Sequence, residues 1–182
     1  MGRLLGMREN NLILGSHQKG RTTMKKLLAT IMAAIGLASG AGAATIDLST
    51  VKAHTTIADG DVVTGSLSGE YRITIAAGAT VKLKNAYIYG VDSPNCGWAG
   101  LTCEGDATIY VEDVNVVRGF HRNLPGIFVP VGNQLTITGT GTLMALNNGR
   151  AAGIGGGYGI ACGSISIDAG TVINSIDIEA HE

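Results

Sequence analysis

A Gly-aliphatic step, a short alternating strand, a tight turn and a second short strand form a unit that recurs along this chain. Three copies open at Gly100-Leu101, Gly126-Ile127 and Gly159-Ile160, which lie 26 and 33 residues apart. They lead into Thr108-Ile109-Tyr110-Val111, Leu135-Thr136-Ile137-Thr138 and Ser164-Ile165-Ser166-Ile167, each with period 2. Second strands follow as Val114-Asn115-Val116, Thr142-Leu143-Met144 and Thr171-Val172-Ile173. An earlier copy keeps only the strands, Val81-Lys82-Leu83-Lys84 and Tyr87-Ile88-Tyr89. Aligning Leu83, Ile109, Ile137 and Ile167 against Ile88, Val114, Leu143 and Val172 gives near-constant steps of 5, 5, 6 and 5 residues. One such unit cannot bury its own apolar edge, so the units must stack as coils.

The repetition runs in one direction, and few two-residue Asn-Gly or Asp-Gly hairpin turns separate the strands. No later window carries a helical period of useful length, and the 28 glycines disfavour long helices. The expected fold is all-β, a short right-handed parallel β-helix of about four or five coils, with a β-sandwich as the alternative.

The N-terminal residues read as targeting rather than fold. Met24-Lys25-Lys26 is a basic start, residues 27–40 are an apolar run, and Ala41-Gly42-Ala43 has the small-x-small form of a signal peptidase site. The run is shorter than the roughly 20 residues a membrane span needs. Residues 1–23 are read as an upstream extension, 24–43 as a signal peptide, and 44–182 as one β-helix domain, clipped or uncapped at its C-terminus. Cleavage there leaves seven basic against thirteen acidic residues, a net charge of −6. With no basic stripe, nucleic acid is disfavoured as a partner. An exported protein, free of the membrane after cleavage, is expected at the cell surface or in the medium.

Candidate chemistry divides as follows. Cys96 and Cys103 could close a disulfide in an oxidising compartment, whereas Cys162 is expected to pack as a small apolar group. A zinc site lacks paired spacing and nearby histidines. Alternation puts Glu104 and Asp106 on one side of an extended segment, where oxygen ligands suffice for a weak calcium site; the simpler reading is solvated acids at turns. Otherwise no cofactor is expected. The run Gly153-Ile154-Gly155-Gly156-Gly157 lacks the Lys-Ser/Thr of a phosphate loop and opens no helix. No carboxylate cluster recurs from coil to coil and no nucleophile has a recognisable base, so the chain reads as no enzyme.

Three insertions differ from coil to coil, at residues 92–100, 120–125 and 147–158, and such insertions project from one side of a solenoid. Trp98, Phe120 and Tyr158 offer rings that stack on the apolar face of a sugar, with His121, Arg122 and Arg150 as donors to its hydroxyls. The rival reading makes Trp98 and Phe120 caps on a small core. The row Thr136, Thr138, Thr140 and Thr142 suggests an ice-binding face, but Thr108/Tyr110 and Ser164/Ser166 do not repeat it.

The glycine-aliphatic step, the strand Leu135-Thr136-Ile137-Thr138-Gly139-Thr140-Gly141-Thr142-Leu143, the glycine run and Cys162-Gly163-Ser164-Ile165-Ser166-Ile167-Asp168-Ala169-Gly170-Thr171-Val172 together resemble a family. It comprises secreted bacterial Gly-rich parallel β-helix proteins described as carbohydrate-binding domain-containing proteins. The resemblance covers roughly residues 81–173 and is densest over 135–172. It implies a β-helix whose ligand is a polysaccharide or cell-surface glycan. Here the pattern ends after Ile173, where relatives would continue with another glycine run. The function expected is non-catalytic glycan binding. The alternatives are a structural adhesin or surface-stalk fragment, and then a relative of polysaccharide-degrading enzymes. An uncapped C-terminal edge would also invite self-association.

Overall fold

In the computed structural model, residues 42–168 and the backbone of 172–175 are described, and they form a parallel β-solenoid of about three turns. Residues 1–23, read as an upstream extension, most of residues 24–43, read as a signal peptide, and the chain after Ser175 lie outside the described residues.

The strands stack in three ladders. The first is a five-stranded parallel sheet of β2 (Thr55–Ile57), β4 (Ile73–Ile75), β6 (Leu101–Cys103), β9 (Ile127–Phe128) and β12 (Ile154–Gly155). The second carries β1 (Thr45–Asp47), β3 (Val62–Ser66), β5 (Thr80–Tyr89), β7 (Ala107–Glu112), β10 (Gln134–Gly139) and β13 (Ser164–Ile167). The third runs from the ends of β3 and β5 through β8 (Val114–Arg118) and β11 (Thr142–Leu146) to β14 (Val172–Ser175). Every pairing is parallel, so the sandwich alternative falls.

Residues 73–89, 101–118 and 127–146 each pass through all three ladders. The coil before them opens on short strands and a register shift between Val63 and Gly65, and the coil after them lies at the end of the stack. Both also enter the ladders, through β2 with β3 and through β12, β13 and β14. The first is built on short strands and the last crosses residues 169–171, outside the described ones, so about three full turns stand against the four or five expected.

Register alternates what faces in and out. Val81, Ile109, Ile137 and Ile167 form one column, and Ile73, Leu101, Ile127 and Ile154 another. Except Ile167, all of these are at most 1% exposed. Stacking β-branched side chains at strand spacing fills a narrow interior that no single coil could close. The N-terminal end is covered by a single 3-10 turn, Leu48–Thr50, whose Leu48 is fully buried and whose start is capped by the Asp47 carboxylate on the Ser49 amide.

Two readings of the repeat are corrected. The third Gly-aliphatic step is Gly153-Ile154, since Ile154 pairs with Ile127; Gly159-Ile160 lies in an exposed loop, with Ile160 49% exposed. The aliphatic columns shift as well, because Val81 rather than Leu83 stacks on Ile109, and Asn115 rather than Val114 lies beneath Leu143. The corner between the second and third ladders causes the second shift. Asn85 and Asp113 turn it with φ of 51° and 58°. From the Lys84↔Glu112 pair to the Tyr87↔Val116 pair, one coil carries two residues and the next three. The extra residue turns Val114 out to 47% exposure and takes Asn115 inside.

Asn115 is the buried polar group that makes this corner workable. Its Oδ1 accepts from the Ala86 amide at 2.9 Å, and its Nδ2 donates to the Glu112 carbonyl at 2.8 Å and toward the Thr142 carbonyl at 3.5 Å. One side chain thus joins three successive coils where the ladder is broken. On the surface beside it, Asn85 donates to the Asp113 carboxylate at 2.9 Å.

Candidate functional site

The insertions leave the stack at the corner between the third and first ladders, the last of them running on through β12 to Tyr158, and they are hydrogen-bonded to one another. The Ser93 amide donates to the Phe120 carbonyl at 3.0 Å, the Arg150 amide to the Arg122 carbonyl at 2.8 Å, and the Tyr158 amide to the Asn123 carbonyl at 2.9 Å. The Asp92 carboxylate takes the Arg122 amide at 3.0 Å and its guanidinium at 2.7 Å. Asn148 sits across the base, its Nδ2 donating to the carbonyls of Gly119 at 2.6 Å and Gly90 at 3.2 Å. Three segments far apart in sequence therefore build one ridge along the stack.

Glycines hold both mouths of the first two insertions and the exit of the third. A Cβ on Gly126 would stand 2.6–2.8 Å from the carbonyl oxygens of Val117, Gly153 and Leu146. A Cβ on Gly100 would meet Gly126 and Arg118 carbonyls at 2.7 and 2.8 Å. Side chains are excluded here because three backbones converge. This is the physical content of the Gly-aliphatic step read in the sequence.

The six side chains expected to bind a ligand divide sharply. Phe120 is 2% exposed and belongs to the core, so it presents no face to a ligand. Trp98 packs on that core, with ring centroids 6.1 Å from Phe120 and 5.2 Å from His54, and its indole N–H is buried without a partner. These two are the caps of the rival reading: the ridge stacks so closely that its large apolar residues turn inward. His121 is half-buried, its Nδ1 accepting from the Asn123 amide at 3.2 Å. Arg122 is exposed but held by Asp92, which raises the guanidinium pKa and lowers that of the carboxyl.

Arg150 and Tyr158 remain open, and they lie together. The guanidinium stands over the Tyr158 ring at 5.4 Å, and the ring residue is 56% exposed. Both line a cleft of about 530 Å³ with Ala152, Gly156, Gly157, Gly159 and Ile160. The cleft owes its shape to glycine: a Cβ on Gly157 would stand 2.8 Å from the Asn123 carbonyl, and one on Gly156 would collide with the Ile160 carbonyl. The first consequence of this glycine run is a backbone that can turn sharply where coils stack closely. Its second consequence, a hollow beside Arg150 and Tyr158, depends on the register of Gly153-Ile154.

The cysteine reading is corrected. Cys96 and Cys103 are both buried thiols. Cys103 lies in β6 beside Ile75, and burial pushes its pKa up to about 12. Cys96 donates its S–H to the Glu70 carboxylate at 3.0 Å, and burial, then Glu70, raises its pKa. The two thiols are thus committed to different surroundings, one in a strand of the core and one at the ridge. Cys162 is half-buried.

Of the two acids named for calcium, Asp106 accepts the Gln134 amide at 2.8 Å, and both Asp106 and Glu104 are exposed. Among the described residues no group of three or more His, Cys, Asp or Glu could hold a metal ion. Thr80, Thr108, Thr136 and Ser166 do stack in one column, but the outward column beside it is Lys82, Tyr110 and Thr138. No helix among the described residues is long and apolar enough to cross a membrane. Neither a family model, nor a curated protein, nor a solved structure matches this chain.

Proposed function

We propose that this chain is an exported, non-catalytic glycan-binding module of bacterial origin, with its ligand seated at the ridge. The observation that carries the reading is the Arg150–Tyr158 cleft. An exposed aromatic ring and a guanidinium share one glycine-walled hollow beside a row of backbone and amide groups. A ring of this kind covers the apolar face of a pyranose, and a guanidinium donates to its oxygens. The ridge runs along the stacking direction, which suits an extended polymer more than a small metabolite. Trp98 and Phe120 act in this scheme as the packed floor that fixes the insertions. Export rests on the order of charge, apolar run and small-x-small site in residues 24–43.

Binding of the full chain to a glycan array tests the ligand class. Retention on one or more polysaccharides, lost with Tyr158→Ala, is expected; silence across the array would refute it. Mass spectrometry of the protein recovered from its host tests export, with Ala44 as the expected first residue. A structural surface element is the second reading. It is favoured by the apolar C-terminal end of the stack, where Ile160 is 49% and Ile167 39% exposed. Concentration-dependent self-association with no glycan bound would support it.

A further inference from the structure

We propose that the ligand of the Arg150–Tyr158 cleft is an acidic glycan, one carrying a uronate carboxylate or a sulfate ester. The inference rests on the glycan-binding reading above and names the substrate class. Arg150 is the charged side chain among the residues lining the cleft, and no carboxylate lines it. Nor does Arg150 form an ion pair with any described residue. The other cations nearby are committed: Arg122 to Asp92 at 2.7 Å, and Arg118 to the Gly90 carbonyl at 2.8 Å with its guanidinium over the Tyr89 ring. A guanidinium left over in a hollow, on a molecule with more acids than bases, is a local exception to the field around it.

Its chemistry selects the ligand. Arg presents a planar fork of N–H donors that matches two oxygens of a carboxylate or sulfate and stays charged at any physiological pH. A neutral sugar hydroxyl would use one of those donors and leave the charge without a partner. The guanidinium stands 5.4 Å from the centroid of the Tyr158 ring in a cation–π contact, so charge and ring already share the hollow. The glycine walls let the substituent approach the backbone without meeting a side chain.

The test uses the full chain and paired probes: alginate and hyaluronan against their carboxyl-reduced forms, and dextran sulfate against dextran, by titration calorimetry. At low salt one acidic polymer should bind at least tenfold tighter than its neutral counterpart, and the gap should narrow at high salt. A carboxylate ligand appears in the first two pairs and a sulfate in the third. Arg150→Gln should remove the discrimination, while Tyr158→Ala weakens acidic and neutral forms alike. Lys52→Gln, at the opposite end of the stack, should change neither and so excludes a bulk charge effect. If acidic and neutral partners bind equally, or if R150Q keeps the preference, the acidic-ligand inference is overturned and glycan binding stands. If no polymer binds and the array is also silent, both fall.

Discussion

Asn115 carries the most exacting prediction, because its two hydrogen-bonding atoms do different jobs in a fully buried site. Asn115→Ala strands the Ala86 amide, which has its partner in Asn115 Oδ1, and removes the donor to the Glu112 carbonyl. A buried donor left unpaired costs about 1–3 kcal/mol. The small void left by the amide brings the total to about 2–4 kcal/mol. For a domain of this size that is a drop in melting temperature of roughly 10 °C. Asn115→Asp separates the two jobs. Protonated, the carboxyl still accepts from Ala86 and can donate to Glu112; ionised, it faces the Glu112 and Thr142 carbonyls with no proton to give. Burial and those carbonyls raise its folded pKa above its unfolded value of about 3.9. The folded state then binds more protons than the unfolded one, so stability relative to the parent falls as pH rises above about 4 and recovers below it. Urea denaturation followed by far-ultraviolet circular dichroism, on both variants and the parent from pH 3 to 8, measures this. If N115A lies within about 0.5 kcal/mol of the parent, the variation expected for an uninvolved surface site, or if the N115D difference is flat with pH, the account of the corner is wrong.

Three further outcomes follow from the packing and a fourth from charge. Gly126→Ala, whose Cβ would stand 2.6–2.8 Å from three carbonyl oxygens, should cost at least about 3 kcal/mol or prevent folding. Gly97→Ala, with nothing within 4 Å, should be neutral or slightly stabilising in the same melts. Trp98→Ala should lower the melting temperature while leaving the affinity for whatever polymer the array identifies unchanged within twofold; a tenfold loss of binding by a stable variant would return Trp98 to the ligand site. Glu112 lies between Lys82 and Lys84, whose ammonium groups lower its pKa. Its contribution is therefore present above its unfolded pKa and lost as pH falls through the folded value, so Glu112→Gln should flatten the acid limb of the stability profile below pH 5. An unaltered acid limb would mean the pair contributes nothing, as many exposed pairs do.

The architecture was legible because stacking leaves a period in the sequence, while the faults in the reading came from corners. Residues 153–160 contain two Gly-Ile steps, and local pattern alone favoured Gly159-Ile160. Spacing would have chosen correctly, since Ile73, Leu101, Ile127 and Ile154 follow one another at 28, 26 and 27 residues. Val114 was placed inside and Asn115 was not, by ordinary hydrophobicity. Across Asp113 the alternation simply carries on, from Ile109 and Val111 to Asn115 and Val117, so extending the period of two would have placed Asn115 inside and Val114 out. Phe120 was read as exposed because insertions usually project, yet this ridge packs on itself. The Arg122–Asp92 pair spans 30 residues and could be seen only by aligning one insertion on the next.

The same constraint explains why the ridge can carry function at all. At the entry, a Cβ on Gly90 would collide with Gly119; at the exit, Gly100, Gly126 and Gly153 lie against one another, and Asn148 joins the carbonyls of Gly90 and Gly119. The chain is therefore fixed where each insertion leaves the stack and where it returns. Between those points its content does not alter the register of any strand, so Pro94 and Cys96 in one insertion, His121 and Arg122 in the next, and Arg150 in the last are all compatible with the same core, while Tyr158 stands in the loop after β12. Substitutions at the glycines should destabilise without regard to ligand, and substitutions at Arg150 and Tyr158 should alter binding without regard to fold. A variant of either kind that did both would mean that the site and the scaffold are not separable in this way.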